Sequence, residues 1–180
     1  MAGGLIDLVH AASEEAWRSG APVIGTEHLL LGAMRQFDDE AVRYLNALGF
    51  THAAVSEVYS ESMASGLQPR LESMPTTPAL QYSQRAAAVL DVAHDMTDRG
   101  STRVAHVLVA LLLNRAAMSA GLLSETARRS GLTTFDPIEC VQALLGYVKE
   151  EQTPARRIET VGGGLTVWPR ARGTTSVPEQ

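Results

Sequence analysis

Apolar residues in the first part of the chain recur at the three- and four-residue spacing of amphipathic helices. The first such run predicts a helix over residues 5–18 that Gly20 ends; its apolar positions are Leu5, Leu8, Val9, Ala12 and Ala16. A third helix is expected after a cap at Asp38 or Asp39 and ends at Gly49, and a fourth begins behind Thr51. With the helix predicted at residues 26–36, described next, the pattern therefore predicts four helices within residues 5–64.

The second run, residues 23–35, is apolar on almost every side. Its letters are Val-Ile-Gly-Thr-Glu-His-Leu-Leu-Leu-Gly-Ala-Met-Arg, and a helix is expected from Thr26 to about Gln36. Thr26 is expected at the N-cap, and Glu27 brings a carboxylate to the positive end of the helix dipole. A helix that is apolar all round must be covered by neighbours, so we expect it at the centre of the fold.

The same four-helix pattern then recurs. Residues 65–82 hold three prolines among Ser and Thr and predict a linker. The second copy has four matching parts. Its first helix is capped by Ser83 and ends near Gly100, and its second contains a run at 106–112 that matches 28–34 position by position. A third helix precedes Gly131, and Asp136-Pro137 opens the last. We expect repeats at about 5–64 and 83–149 in one all-α domain over residues 1–150, with duplication as the simplest account.

Residues 151–180 change to Pro, Gly, Thr and Arg and predict a flexible tail. An apolar patch at residues 165–168 could pack incidentally or could dock on the helical body or on a partner.

Composition excludes several classes of protein. The formal net charge is −5 and no window holds a Lys/Arg cluster, so we expect neither nucleic acid nor a membrane surface as a partner. Cys140 is the only cysteine, which rules out an intramolecular disulfide. The chain has no signal-peptide pattern at its N-terminus and no apolar run near the ~20 residues of a membrane span. We therefore expect a cytoplasmic protein.

The polar residues show no catalytic pattern, and we predict neither an enzyme nor a bound metal or cofactor. Glu27 and His28 lie outside any His-Glu-x-x-His motif, and Cys140 has no histidine near it in sequence that could act as its base. His28 and His106 occupy the same position in two buried helices, so we expect hydrogen-bonded core histidines that tie neighbouring loops together. The sequence also holds no Gly-x-x-x-x-Gly-Lys-Ser/Thr loop for ATP.

A duplicated four-helix unit whose second helix opens with Gly25-Thr26-Glu27-His28 and continues Leu-Leu-Leu-Gly resembles the N-terminal domain of the Clp family of AAA+ unfoldases of the ClpC and ClpA types. The resemblance covers about residues 5–149 and includes Glu14-Glu15-Ala16 and the segment 82–86, Tyr-Ser-Gln-Arg-Ala. In the second repeat the Gly-Thr-Glu-His block has become Arg103-Val104-Ala105-His106. The resemblance implies two pseudo-symmetric Clp repeats in a domain that receives substrates and adaptors, and the chain looks like a free-standing copy of it.

Two hypotheses follow for function. The first is a non-enzymatic binding module of regulated proteolysis, an adaptor, regulator or decoy whose partner is a Clp ATPase, its adaptor or its substrate. Because N domains of this family also receive certain cyclic peptide antibiotics, the resemblance adds a cyclic peptide as a candidate ligand. The alternative is a small all-helical transcription regulator, which would need a basic recognition helix that the sequence does not show.

The resemblance also suggests a ligand class and its candidate binding residues: Thr26, Glu27, Tyr82, Ser83 and Arg85. N domains of the ClpC type are expected to bind phosphorylated arginine at two equivalent sites, each made by the Glu of Gly-Thr-Glu-His and a hydroxyl at the start of the preceding helix. In the first site Glu27 would lack its hydroxyl partner, because the hydroxyl position falls near Ala2. In the second site Ser83 would lack its carboxylate partner, because the carboxylate position falls at Ala105. We therefore expect a silent second site and a weak first site that depends on Glu27. The competing interpretation is that Glu27 only caps its helix.

Overall fold

The computed structural model describes residues 4–64, 80–97, 101–132 and 135–152, and within these ranges the chain forms eight helices and two short strands. In chain order the elements are α1 Leu5–Arg18, β1 Val23–Ile24, α2 Thr26–Met34, α3 Glu40–Ala47, α4 His52–Met63, β2 Gln81–Tyr82, α5 Gln84–Asp95, α6 Val104–Leu113, α7 Met118–Arg129 and α8 Pro137–Gln152. The all-α fold expected from the sequence is confirmed. Most of the predicted linker (65–79) and the tail beyond residue 152, with its apolar patch, lie outside the described residues.

Short polar side chains begin several of the helices as predicted. Asp39, Thr51 and Ser83 each accept a hydrogen bond from a main-chain N–H in the first turn of the helix that follows. Asp136 does the same for α8, where its Oδ1 accepts from the N–H of Ile138 at 2.8 Å. These caps satisfy donors that the helix itself leaves unpaired, which is why local sequence located the helix starts well.

Three glycines in the left-handed conformation end α1, α3 and α7. Gly20, Gly49 and Gly131 have φ of 75°, 93° and 72°, and the residue after each donates its N–H back to a carbonyl five positions earlier. The predicted ends of α2 and α5 were too late. The chain leaves α2 through i→i−3 hydrogen bonds after Met34, and α5 ends at Asp95, where the hydroxyl of Thr97 donates to the carbonyl of His94 at 2.7 Å.

The two apolar runs form the centre of the molecule, as predicted. Helices α2 and α6 pack against each other, and every residue of α2 except Glu27 is buried, as is α6 from Val104 to Leu112. Helix α1 lies unusually close to α2 because Gly32 has no side chain: a Cβ there would meet the main chain of Leu8 and Ala12 at 2.6–2.9 Å. The central position of α2 thus depends on close backbone packing as well as on apolar side chains.

The two repeats, α1–α4 and α5–α8, interlock rather than lie side by side. Helix α3 packs against α6 and α8 of the second repeat, and α7 packs against α2 and α4 of the first. Ring contacts cross the same boundary, with Phe50 and Phe135 at a centroid distance of 4.8 Å and Tyr44 and Tyr147 at 6.0 Å. Each repeat therefore completes the core of the other.

Two short backbone pairings, which the sequence analysis did not anticipate, bring helix starts together. Strands β1 and β2 are parallel, with Val23 opposite Gln81 and Ile24 opposite Tyr82. A single antiparallel bridge joins Gly4 to Arg103. Because each paired residue lies within three residues of the start of a helix, α2 begins beside α5 and α1 begins beside α6.

No single helix in the described ranges is long and apolar enough to cross a membrane. By length and composition alone, the pair α6 and α7 meets that criterion jointly, with a bend of 88° between them.

Candidate functional site

The predicted ligand-binding residues gather where α2 and α5 begin. The N–H of Ser83 donates to the carbonyl oxygen of Ile24 at 2.9 Å, and the next residue on each chain segment enters the N-terminal turn of its helix. We call residues 25–28 and 82–85 together the α2–α5 site. Both helix starts carry main-chain N–H groups and the positive end of a helix dipole, features with which proteins bind anions.

This geometry corrects the pairing expected from the sequence. Glu27 and Ser83, which were assigned to different sites, begin neighbouring helices, whereas the described start of α1, Gly4, lies against Arg103 at the start of α6. Ala2 itself lies outside the described residues. The expectation was wrong because a duplicated pattern does not reveal whether a helix start pairs within its own repeat or across to the other. The structure pairs the helix starts across the repeats, so the helix of Glu27 begins beside the helix that Ser83 caps.

The Glu27 side chain folds back over the start of its own helix. Its Oε1 lies 3.4 Å from His28 Nδ1, and the Thr26 hydroxyl donates to Oε2 at 3.5 Å. Only 15% of the side chain is exposed, and this burial raises the pKa of Glu27, although hydrogen bonds from its own N–H and from Thr26 act in the opposite direction. A Cβ on Gly25 would overlap the carboxylate. The Glu27 carboxylate is thus mostly buried, and the hydrogen bonds that it receives do not fully offset the cost of burying its charge.

Thr26 does not cap α2 as predicted. Gly25 is the N-cap, Thr26 is the first helical residue and is buried, and the Gly25 N–H donates to Nδ1 of His28 at 2.9 Å. In the second repeat the N–H of Arg103 donates to Nδ1 of His106 at 3.2 Å. In each repeat the histidine three residues into the helix thus accepts from the N–H of the N-cap residue, a different donor from those that a hydroxyl N-cap would satisfy. Both histidines are buried and hydrogen-bonded, as expected.

His28 also joins α2 to α4. Because Nδ1 accepts from Gly25, the neutral ring carries its proton on Nε2, which donates to Tyr59 Oη at 2.8 Å. Burial lowers the pKa of His28 to about 4, so the ring is neutral at physiological pH. Tyr59 was not among the residues predicted from the sequence; the signal that could have found it is a tyrosine four residues after Val55 on the apolar face of α4.

Of the remaining two predicted ligand-binding residues, Tyr82 lies at the α2–α5 site and Arg85 is bonded elsewhere. Tyr82 pairs with Ile24 in the strand and is 37% exposed, and partial burial raises the pKa of its hydroxyl. The Arg85 guanidinium donates to the carbonyl of Ala116 at 2.8 Å. The structure thus brings together Thr26, Glu27, Tyr82 and Ser83, while Arg85 is anchored to the loop between α6 and α7.

Other polar groups of the described chain form structural contacts. Arg35 donates to Glu14 at 2.5 Å, and Glu15 lies 3.3 Å from His52, which links α1 to the end of α2 and the start of α4. Burial raises the pKa of the Cys140 thiol, the opposite of an activated nucleophile. No three His, Cys, Asp or Glu side chains in the described ranges converge to hold a metal ion. Two open clefts of about 330 and 230 Å³ lie elsewhere, beside α7 and between α1 and α2.

Comparison with known proteins gives consistent matches. The family model of the Clp repeat (R) N-terminal domain matches residues 5–126. The chain is 30% identical over 116 residues to the chaperone protein ClpB of Oceanobacillus iheyensis and to the negative regulator of genetic competence ClpC/MecB of Bacillus subtilis. Each match covers 63% of this chain but 14% of the relative, so the chain spans a small part of these proteins.

A solved structure has the same fold. The N-terminal domain of the caseinolytic protease associated chaperone ClpD from Arabidopsis thaliana superposes with a TM-score of 0.58 at 19% identity, covering 80% of this chain and 91% of that one. The comparisons give no support to the transcription-regulator hypothesis.

Proposed function

Because the chain belongs to the Clp repeat N-terminal domain family, whose members are protein-interaction modules of Clp ATPases, we propose that it is a non-enzymatic binding module of the Clp proteolysis system. We propose further that the α2–α5 site binds the side chain of phosphorylated arginine, at a ratio of one ligand per chain. The observation that carries this proposal is the hydrogen bond from Ser83 to Ile24, because it joins the start of α5 to the start of α2 and so brings Ser83 beside the helix of Glu27.

The chemistry of the α2–α5 site fits a ligand with two opposite charges. The helix starts and the Ser83 hydroxyl suit a phosphoryl group, while the Glu27 carboxylate suits a guanidinium through charge-assisted hydrogen bonds. Phosphorylated arginine carries both groups on one side chain. Unmodified arginine would bind only the Glu27 carboxylate, and inorganic phosphate would bind only the helix starts.

The electrostatics of Glu27 favour a binding role over a purely structural one. A carboxylate that only caps a helix is stabilised by the dipole and by N–H groups, which lowers its pKa. In Glu27 burial outweighs those contacts and the pKa is raised. A carboxylate whose burial is only partly offset by hydrogen bonds from the protein is suited to a cationic ligand that supplies a further partner.

At the starts of α1 and α6, the described residues equivalent to Ser83 and Glu27 carry neither a hydroxyl nor a carboxylate, and the nearby Asp7 carboxylate accepts from the Gly4 N–H of its own helix. The N-caps there are Gly4 and Arg103, and Ala105 occupies the position that Glu27 has in α2. Loss of a charged partner commonly costs ~1.5–3 kcal/mol, roughly ten- to a hundredfold in affinity. We therefore propose that phosphorylated arginine does not bind there.

In this proposal the chain acts as an adaptor, regulator or decoy that competes with an unfoldase N domain for phosphoarginine-bearing segments or carries them to it. Pull-down from native cytosol, read by mass spectrometry, tests that role: recovery of a Clp ATPase or its peptidase supports it, and a sample free of proteolytic components contradicts it.

Isothermal calorimetry with free phosphoarginine tests the ligand class, with arginine and inorganic phosphate as matched controls. We expect one site for phosphoarginine and much weaker binding of either control. Equal binding of arginine, or no heat with phosphoarginine, would refute the proposed ligand. Cyclic peptides, the other candidate ligands, are tested by competition in the same titration.

A further inference from the structure

We infer that Gly25 is a positioning residue of the α2–α5 site: it leaves open the space in which the Glu27 carboxylate lies, so the two residues act as one unit. The effect on ligand affinity rests on the proposed function. The effect on the position of the carboxylate does not.

Backbone conformation does not explain a glycine at this position. Gly25 has φ −92° and ψ 178°, an extended conformation open to any residue. What a side chain would change is space, since a Cβ on Gly25 would overlap the carboxyl carbon and both oxygens of Glu27. A glycine is therefore needed here to leave room for the Glu27 side chain, not to allow a turn.

The conflict involves the end of a flexible side chain, not main chain. A methyl group at position 25 can be accommodated if Glu27 rotates away, without unfolding α2. The carboxylate would then leave its contacts with Thr26 and His28 and move towards solvent. Gly32 offers the contrast, because a Cβ there meets the main chain of α1 and no rotation can relieve it.

The second repeat supports this pairing of residues from within the same chain. The position equivalent to Gly25 is Arg103, and the position equivalent to Glu27 is Ala105. Where the N-cap carries a side chain, the carboxylate is missing. His106 still accepts from the Arg103 N–H, so the cap hydrogen bond does not depend on a glycine at this position.

The test uses the Gly25→Ala variant of the full chain, with two measurements. The pKa of Glu27 is followed by NMR of its carboxyl carbon during a pH titration, and phosphoarginine affinity is measured by calorimetry. We expect the pKa to fall towards the ordinary value for Glu and the affinity to drop by about tenfold or more, close to that of Glu27→Gln. Gly121→Ala is the matched control, because a Cβ at Gly121 meets nothing within 4 Å, and it should change neither quantity.

The outcomes separate the two proposals. An unchanged Glu27 pKa in Gly25→Ala overturns the positioning role, whatever the ligand. Unchanged affinity in Gly25→Ala, with loss in Glu27→Gln, also overturns it and leaves the proposed function intact. If the native chain does not bind phosphoarginine, the proposed function fails, and the titration still decides the role of Gly25.

Discussion

The main-chain N–H of Ser83 donates to the carbonyl oxygen of Ile24 at 2.9 Å, across 58 residues of intervening sequence. This bond continues the parallel pairing of β1 and β2 and aligns the starts of α5 and α2. A hydroxyl from the second repeat and a carboxylate from the first thus come to flank one pair of helix N-termini. The candidate site belongs to neither repeat alone.

Gly32→Ala should destabilise the protein. The added methyl would press on main-chain atoms of Leu8 and Ala12, and overpacking of this kind costs about 1–3 kcal/mol, partly offset by the ~1 kcal/mol helix preference of Ala over Gly. Gly146→Ala in α8 is the matched control, since a Cβ there meets nothing within 4 Å, and it should leave stability equal or higher. Urea unfolding of the two variants gives the comparison, and equal midpoints would show that α1 and α2 are not in close contact.

An excised first repeat, residues 4–64, should not fold cooperatively. Its central helix α2 is covered by α6 and α7 of the second repeat, and its α3 packs on α6 and α8. Excision would expose those faces to water, at roughly 25 cal/mol for each Å² of apolar surface. Circular dichroism during heating measures this. A sharp transition in the fragment near that of the full chain would contradict the interlocked packing.

Most helix starts, and the helix ends at glycine, could be predicted because their causes are local. Asp39, Thr51 and Ser83 cap the next turn, and Gly20 and Gly49 adopt the left-handed conformation that ends a helix, so a few neighbouring residues decide each boundary. The cap of α2 was mispredicted by one residue: Gly25, which has no side chain to signal a cap, is the N-cap, and its own N–H is satisfied by His28 from inside the helix.

The pairing of Glu27 with Ser83 could not be predicted in this way. It depends on strands of two residues each, too short for an alternating pattern, and on which copy of a duplicated element lies beside which. A repeat pattern is equally compatible with pairing inside and between repeats. The identity of the candidate residues therefore came from sequence, and their grouping came from tertiary structure.

Glu27→Gln should raise the melting temperature at neutral pH. Burial raises the pKa of Glu27 above its unfolded value, so its stabilising contribution is full below the unfolded pKa and is lost as pH rises through the folded pKa. The isosteric amide avoids that loss. Thermal melts at pH 7 and pH 4 check this: the variant should gain stability at pH 7 and lose that advantage in acid. A variant less stable than the native chain at pH 7 would indicate that the charge mainly caps α2.

Phosphoarginine affinity should fall as the solution is acidified. The fall should begin at a higher pH than it would if Glu27 had the ordinary pKa of a glutamate. The guanidinium pairs with the ionised carboxylate, and a raised pKa means that Glu27 becomes protonated earlier as pH falls. His28 cannot cause this loss, because its pKa is about 4 and the ring stays neutral until lower pH. Calorimetry from pH 7.5 to 5 gives the profile, and the ligand phosphoryl group must be titrated separately as a control. An affinity independent of pH after that correction would argue against Glu27 as the partner of the guanidinium.

A double-mutant cycle measures directly whether Glu27 and Ser83 serve one ligand across the two repeats. Phosphoarginine binding is measured by calorimetry for the native chain, Glu27→Gln, Ser83→Ala and the double variant, with Thr51→Ala as a control that removes the equivalent hydroxyl cap of α4. We expect one site in the native chain, weakened by either single substitution and unaffected by Thr51→Ala. The combined loss in the double variant should differ from the sum of the two single losses. Two native sites, of which Glu27→Gln removes one and Ser83→Ala the other, would contradict a single shared site.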